Sequence, residues 1–293
     1  MSSGWGRREF LGLLAASALA GKARAAVTPR LAAIDWAMLE TSVALGIMPV
    51  AATELIQFRA GAVEPEIPET VSDLGLRGAP NFELLQLTRP DLILISPFYT
   101  RYTGRLEAIA PVFSLPFYVK GEPPFEKSLA AVSALGEKLG RVDEARKVLD
   151  EAHLALQAMR TRLAGFASRP TYVINIGDAR HFRAFGEDSM FGDILGRLGL
   201  TNAWVDRSQF TFAAPVPLEN LADVADARIV IVSDVPVEAR ESLRNSAIWR
   251  ALPAVRENRV VTLGNVSPYG GITAAMRFAR LLTEALATHG EAL

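Results

Sequence analysis

Residues able to do covalent or metal chemistry are sparse in this chain. It has no cysteine and three histidines, His153, His181 and His289, none paired at the spacing of a zinc site or placed as an axial haem ligand would require. It contains no G-x-S-x-G elbow, no G-x-x-x-x-G-K-[ST] loop and no G-x-G-x-x-G after a strand. Gly270-Gly271 reads as a turn. What remains is single polar groups beside aromatics at the ends of apolar runs. Arg77 stands in the loop Val71 to Gly78, and Tyr99 follows the run Leu92 to Ile95 within Ser96-Pro97-Phe98-Tyr99. Ligands of open α/β sheets gather at the carboxyl ends of the strands. Arg77 and Tyr99 are therefore candidates for the mouth of a binding site, and the chain as a whole reads as a binding module rather than an enzyme.

The elements that must carry these residues follow from hydrophobic patterning. Short apolar runs at Leu31 to Ile34, Leu92 to Ile95, Val112 to Leu115, Tyr172 to Ile176, Ile229 to Val232 and Val260 to Leu263 alternate with helical patterns. That alternation predicts an α/β protein with largely parallel central sheets flanked by helices. One segment recurs in outline. Asn81-Phe82-Glu83-Leu84-Leu85 precedes Pro90-Asp91 and an apolar run, and Pro217-Leu218-Glu219-Asn220-Leu221 precedes Asp226 and another. Each is expected to be a helix opening on a glutamate, and the repetition predicts two similar lobes. Between them, apolar residues at Ala145, Val148, Leu149, Ala152, Leu156, Met159 and Leu163 keep helical spacing with charge opposite. About 22 residues at 1.5 Å each give a strut of about 33 Å. The expected division is an export signal at 1–25, a first lobe at 26–140, a connecting helix at 141–165 and a second lobe at 166–293.

The start of the chain carries its own message. Arg7-Arg8-Glu9-Phe10-Leu11, an apolar run of about 11 residues and Ala23-Arg24-Ala25 have the order of an export signal, and the paired arginines fit the twin-arginine type. The expected location is the periplasm, in soluble form. Removing residues 1–25 takes away Arg7, Arg8, Lys22, Arg24 and Glu9, which moves the formal net charge from −1 to about −4. A mildly acidic chain with no basic block argues against nucleic acid or an anionic membrane surface as partner, and a monomer is expected.

A resemblance runs along essentially the whole chain after the signal. It is carried by Ile34-Asp35-Trp36, by Ala44 to Pro49, by Asp73 to Arg77 with Pro80-Asn81-Phe82-Glu83-Leu84-Leu85, by Asn202-Ala203-Trp204, and by Tyr269-Gly270 with Ala275-Met276-Arg277-Phe278. In these the chain resembles the periplasmic ferric-hydroxamate-binding proteins, whose two lobes are joined by one rigid helix. The resemblance implies a ferric hydroxamate siderophore as ligand and an inner-membrane ABC permease as partner. It also implies no cofactor, the iron being held only by the siderophore. By position Arg77 and Tyr99 would hydrogen-bond the hydroxamate oxygens, while Trp36, Trp204, Tyr269 and Phe210 or Phe212 would line the pocket. Glu83 and Glu219, one per lobe, would dock on permease arginines; without the resemblance each is a helix-start carboxylate stabilised by the helix dipole. Gly61, Ile95, Thr211 and Ser267 stand where a well-known member has tryptophan, which leaves the preferred chelate open. Another iron chelate, haem or cobalamin remains an alternative ligand within the same class, and an exported enzyme acting on an iron chelate an alternative outside it.

Overall fold

The computed structural model describes residues 28–205 and 215–290, so Arg7, Arg8 and Phe210 lie outside the described residues. Two five-stranded sheets organise the chain. The first is built from β1 (Leu31–Ala33), β2 (Ala51–Ala52), β3 (Ser72–Asp73), β4 (Leu92–Ile95) and β5 (Val112–Ser114), in the order β3-β2-β1-β4-β5. Every pairing in it is parallel. The connections are α1 (Trp36–Ala44), α2 (Leu55–Gly61), α3 (Phe82–Thr88) and α4 (Thr103–Glu107), with a 3-10 turn at Pro97–Tyr102.

After α5 (Phe125–Leu139), α6 (Val142–Leu163) leads to the second sheet, as the patterning predicts. That sheet contains β6 (Thr171–Ile176), β7 (His181–Ala184), β8 (Val216–Pro217), β9 (Arg228–Ile231) and β10 (Val260–Thr262), in the order β10-β9-β6-β7-β8. Here β7 alone runs antiparallel, to both of its neighbours β6 and β8. The remaining helices are α7 (Met190–Arg197), α8 (Val237–Asn245), α9 (Ala247–Ala251), α10 (Pro253–Arg256) and α11 (Ile272–Gly290). The glutamate repeat is realised unequally: α3 is an α-helix, whereas Leu218–Ala222 is a 3-10 turn.

Successive strand residues point to opposite sides of a sheet, and that rule sorts the core into three parts. Ala32, Ile34, Ile93 and Ile95 enter a core private to the first sheet. Tyr172, Ile174, Ile229 and Ile231 enter one private to the second. Leu31, Ala33, Leu92 and Leu94 face the other way, as do Val173, Val230 and Val261, and all seven join a single apolar cluster with Phe125, Leu156, Phe191 and Phe278. The two sheets therefore share a continuous core. α11 closes it, packing against α1, α6 and α7. The lobes are joined by two long helices and the apolar mass between them, a more rigid union than the single strut that the patterning implies. Among the described residues no helix is long and apolar enough to cross a membrane.

Candidate functional site: a cleft lined by strand ends

The carboxyl ends of β1 to β4 place six polar side chains together. Asp35, just after β1, caps α1: its Oδ1 accepts from the backbone N–H groups of Ala37 (2.8 Å) and Met38 (3.2 Å). Its Oδ2 accepts from the Ser96 hydroxyl after β4 (2.8 Å). Burial pushes the Asp35 carboxyl above the usual carboxylate range against these hydrogen bonds.

Glu54, just after β2, has a left-handed backbone (φ 52°) and donates its N–H to the Gly75 carbonyl at 2.8 Å. Its carboxylate takes two bonds from a single residue. Oε2 accepts from Arg77 Nε at 2.6 Å, and Oε1 accepts from the Arg77 backbone N–H at 3.0 Å. Asp73 ties the same two loops, accepting from Leu55 N–H at 3.1 Å and from Gly75 N–H at 2.9 Å. Gly75 itself has a φ of 73°, a conformation that glycine adopts without a side-chain penalty. The loop that delivers Arg77 is thus fixed from both sides.

The Arg77 guanidinium lies over the Trp36 ring, 4.1 Å from its centroid, a favourable cation–π arrangement. Trp36 is held in turn: its Nε1 donates to the Thr53 carbonyl at 3.0 Å and its ring meets Phe58 edge-on. Tyr99 completes the group, its phenol lying close enough to Arg77 to feel the guanidinium charge. Burial first, and then the nearby Asp35 charge, push its phenol up to about 12. The hydroxyl keeps its proton at any physiological pH. A protonated phenol beside a guanidinium can donate its O–H to a ligand.

The second sheet has a strand-end recess of its own. At the ends of β6, β9 and β10, Asn175, Phe185, Ser233 and Pro268 border a recess of about 160 Å³ that Arg183 also lines. Asn175 donates to the Val232 carbonyl at 3.0 Å.

Between the walls lies a junction that sequence reasoning missed. Glu40 on α1 is fully buried and accepts from the N–H groups of Gly271 (2.7 Å) and Ala274 (3.0 Å) at the start of α11. Burial pushes its carboxyl up to about 8, the two backbone bonds oppose this, and Asp35 adds to it. Tyr118 donates to the Gly270 carbonyl at 2.6 Å and packs edge-on against Tyr269, with ring centroids 5.5 Å apart.

Of the residues expected at the site, Arg77, Tyr99 and Trp36 come together. Trp36 is packed in the core with one face under the arginine, so it is a platform more than an exposed wall. Tyr269 sits at the Glu40 junction. Trp204 stands apart, edge-on against Phe182 and packed on the second sheet's private core. Glu83 and Glu219 are both exposed, each in the first turn of its helix and one from each half of the chain. Asp35, Glu54, Ser96, Glu40 and Tyr118 were not anticipated as site residues. The one signal for the first three is their place just past a strand end. Among the described residues no cluster of three or more potential metal ligands is present.

Comparison with known proteins agrees with this architecture. A family model described as periplasmic binding protein matches residues 31–266. The iron(3+)-hydroxamate-binding protein FhuD of Escherichia coli is 30% identical over 285 residues, covering 96% of both chains. The Fe(3+)-citrate-binding protein YfmC of Bacillus subtilis is 22% identical over 82% of this chain and 75% of its own. Among solved structures, FhuD of Vibrio cholerae bound to Fe3+-Desferal superposes with a TM-score of 0.82 at 26% identity, covering 88% of this chain and 98% of its own. With two mostly parallel sheets, one shared core and these matches, the chain belongs to the periplasmic binding protein family.

Proposed function

We propose that this protein captures ferric hydroxamate siderophores in the cleft between its two sheets and delivers them to an inner-membrane ABC permease. The observation that carries this reading is the convergence of Arg77, Tyr99 and Trp36 at the strand ends of the first sheet. A permanently charged guanidinium donates to oxygens that bear negative charge, a phenol donates beside it, and an indole face backs both. Such a set grips the oxygens around a chelated iron without touching the metal, so the ion arrives as cargo and no resident cofactor is required. The names of the Escherichia coli and Vibrio cholerae relatives support the same ligand class.

Tyr269 supplies aromatic surface at the Glu40 junction; Trp204, packed on the second sheet's own core, and Phe210 are assigned to the ligand by the resemblance alone. Broad rings bury apolar area without demanding one ligand shape. Glu83 and Glu219 are the docking pair: exposed carboxylates on separate halves fix orientation and speed encounter with a basic permease surface. The working location is the periplasm, reached by the twin-arginine route, and the working form is a monomer that returns its ligand unchanged rather than an enzyme.

The test is quenching of tryptophan fluorescence in the mature protein titrated with ferrichrome and ferric coprogen. Trp36 lies directly beneath Arg77, so a chelate seated on the arginine should quench it. Saturable quenching is expected. No response to any hydroxamate would overturn the assignment and favour cobalamin, haem or another chelate.

A further inference from the structure

The arginine at the mouth of the cleft is not an open positive charge. Its Nε is bonded to Glu54, and Glu54 is aimed there by more than a rotamer choice. Its second oxygen is fixed by the backbone N–H of the same arginine, and its own backbone holds a left-handed conformation anchored on Gly75. A conformation disfavoured for a side-chain-bearing residue persists where its surroundings enforce it. Asp35 lies within electrostatic reach of both Arg77 and Tyr99. The first-sheet wall therefore presents one cation already held by the Glu54 carboxylate, with the buried Asp35 carboxyl behind it.

We propose that Glu54 is a specificity-determining residue of the cleft: by holding Arg77 as half of an ion pair, it makes the site accept electroneutral or cationic ferric chelates and refuse polyanionic ones. This rests on the siderophore reading above and sharpens it. Hydroxamates are singly charged and three of them neutralise a ferric ion, whereas three doubly charged catecholates leave a trianion. A trianion approaching this wall meets the Glu54 carboxylate before it gains one shared arginine. A neutral chelate needs only the remaining N–H donors of Arg77 and the Tyr99 hydroxyl. These are hydrogen bonds that an ion-paired guanidinium can still make, because it has five donors.

The experiment measures dissociation constants for ferrichrome and for a ferric tris-catecholate siderophore with the wild type, Glu54→Gln and Glu54→Asp. The Gln variant should narrow the preference for ferrichrome by about tenfold or more, equivalent to 1.4 kcal/mol, through tighter binding of the trianion. The Asp variant, which keeps the charge, should retain the wild-type ratio. If Glu54→Gln weakens both chelates alike, or leaves their ratio unchanged, Glu54 is structural only and the inference falls. A second arm uses the wild type alone, so it survives a variant that does not fold. A trihydroxamate with an ammonium tail should bind more tightly than the same chelate succinylated at that amine, and equal binding would overturn the inference. A wild type that binds no trihydroxamate at all would instead remove the siderophore reading on which it rests.

Discussion

Two carboxylates serve the same cleft in opposite ways. Glu54 meets a guanidinium at 2.6 Å. Glu40 meets only backbone N–H groups, and its Oε1 is buried without a hydrogen-bond partner among the described residues. Burying an ion without a counter-charge is costly, and the usual response is neutralisation, which is the direction in which Glu40 moves. Glu54 is thus a carboxylate paired with a cation at the strand ends, whereas Glu40 is an acid that can give up its charge to fasten α11 of one half onto α1 of the other. Binding chemistry sits on the loops and lobe geometry on the helices, so the two should be separable by experiment.

The largest effect is expected at the junction. A Cβ added at Gly270 would lie 2.4 Å from Glu40 Oε1 and 2.4 Å from the Ala274 Cβ. Gly270→Ala should therefore cost about 3 kcal/mol of folding stability, seen as a melting temperature lower by roughly 5–10 °C. A loss below about 1 kcal/mol would mean that the junction yields easily and does not fix the lobes.

Next comes pH. The Glu40 carboxyl has a folded-state value of about 8 against an ordinary 4.5. The folded state therefore holds a proton that the unfolded chain has released, and this contribution is complete below about pH 4.5 and lost as pH rises through 8. Wild-type stability should fall relative to Glu40→Gln by on the order of 3 kcal/mol between pH 5 and pH 8, measured by denaturant unfolding. Parallel pH profiles would show that Glu40 stays ionised in the fold.

At the anchor the effects appear in affinity instead. Tyr99→Phe should weaken ferrichrome binding by about 1 kcal/mol, the contribution of one hydrogen bond, with an unchanged melting temperature. The smallest effect belongs to the rim. Alanine at Glu83 and Glu219 should leave both stability and ligand affinity as they are, while lowering siderophore uptake in cells; an altered dissociation constant would move these residues from the docking surface to the ligand site.

What the sequence made legible follows the strength of each physical signal. β4 is a run of four apolar residues buried on both faces, and its observed bounds match the expected ones. α6 shows its stripe plainly, and its buried residues Ala145, Ala152, Leu156 and Leu163 are four of the seven anticipated. β2 and β3 are two residues each, too short to carry a period, and β7 alternates half-buried and buried residues beginning at His181, which reads as a loop. At the site, Arg77 and Tyr99 were found by position after a loop and a strand, with the family resemblance naming their role. Glu54 and Asp35 were passed over because a carboxylate before a helix looks like any cap. Glu40 was hidden for another reason: its partners, Gly271 and Ala274, lie more than 200 residues away, and no local pattern reports that contact.

The measurement that bears most directly on the account is calorimetric titration of ferrichrome into the wild type and Arg77→Ala, with thermal melts of both. A folded Arg77→Ala that binds about tenfold or more weakly, 1.4 kcal/mol or greater, is the predicted result. A folded variant with wild-type affinity would show that the ligand is held elsewhere, and would contradict the assignment of the strand-end arginine as its anchor.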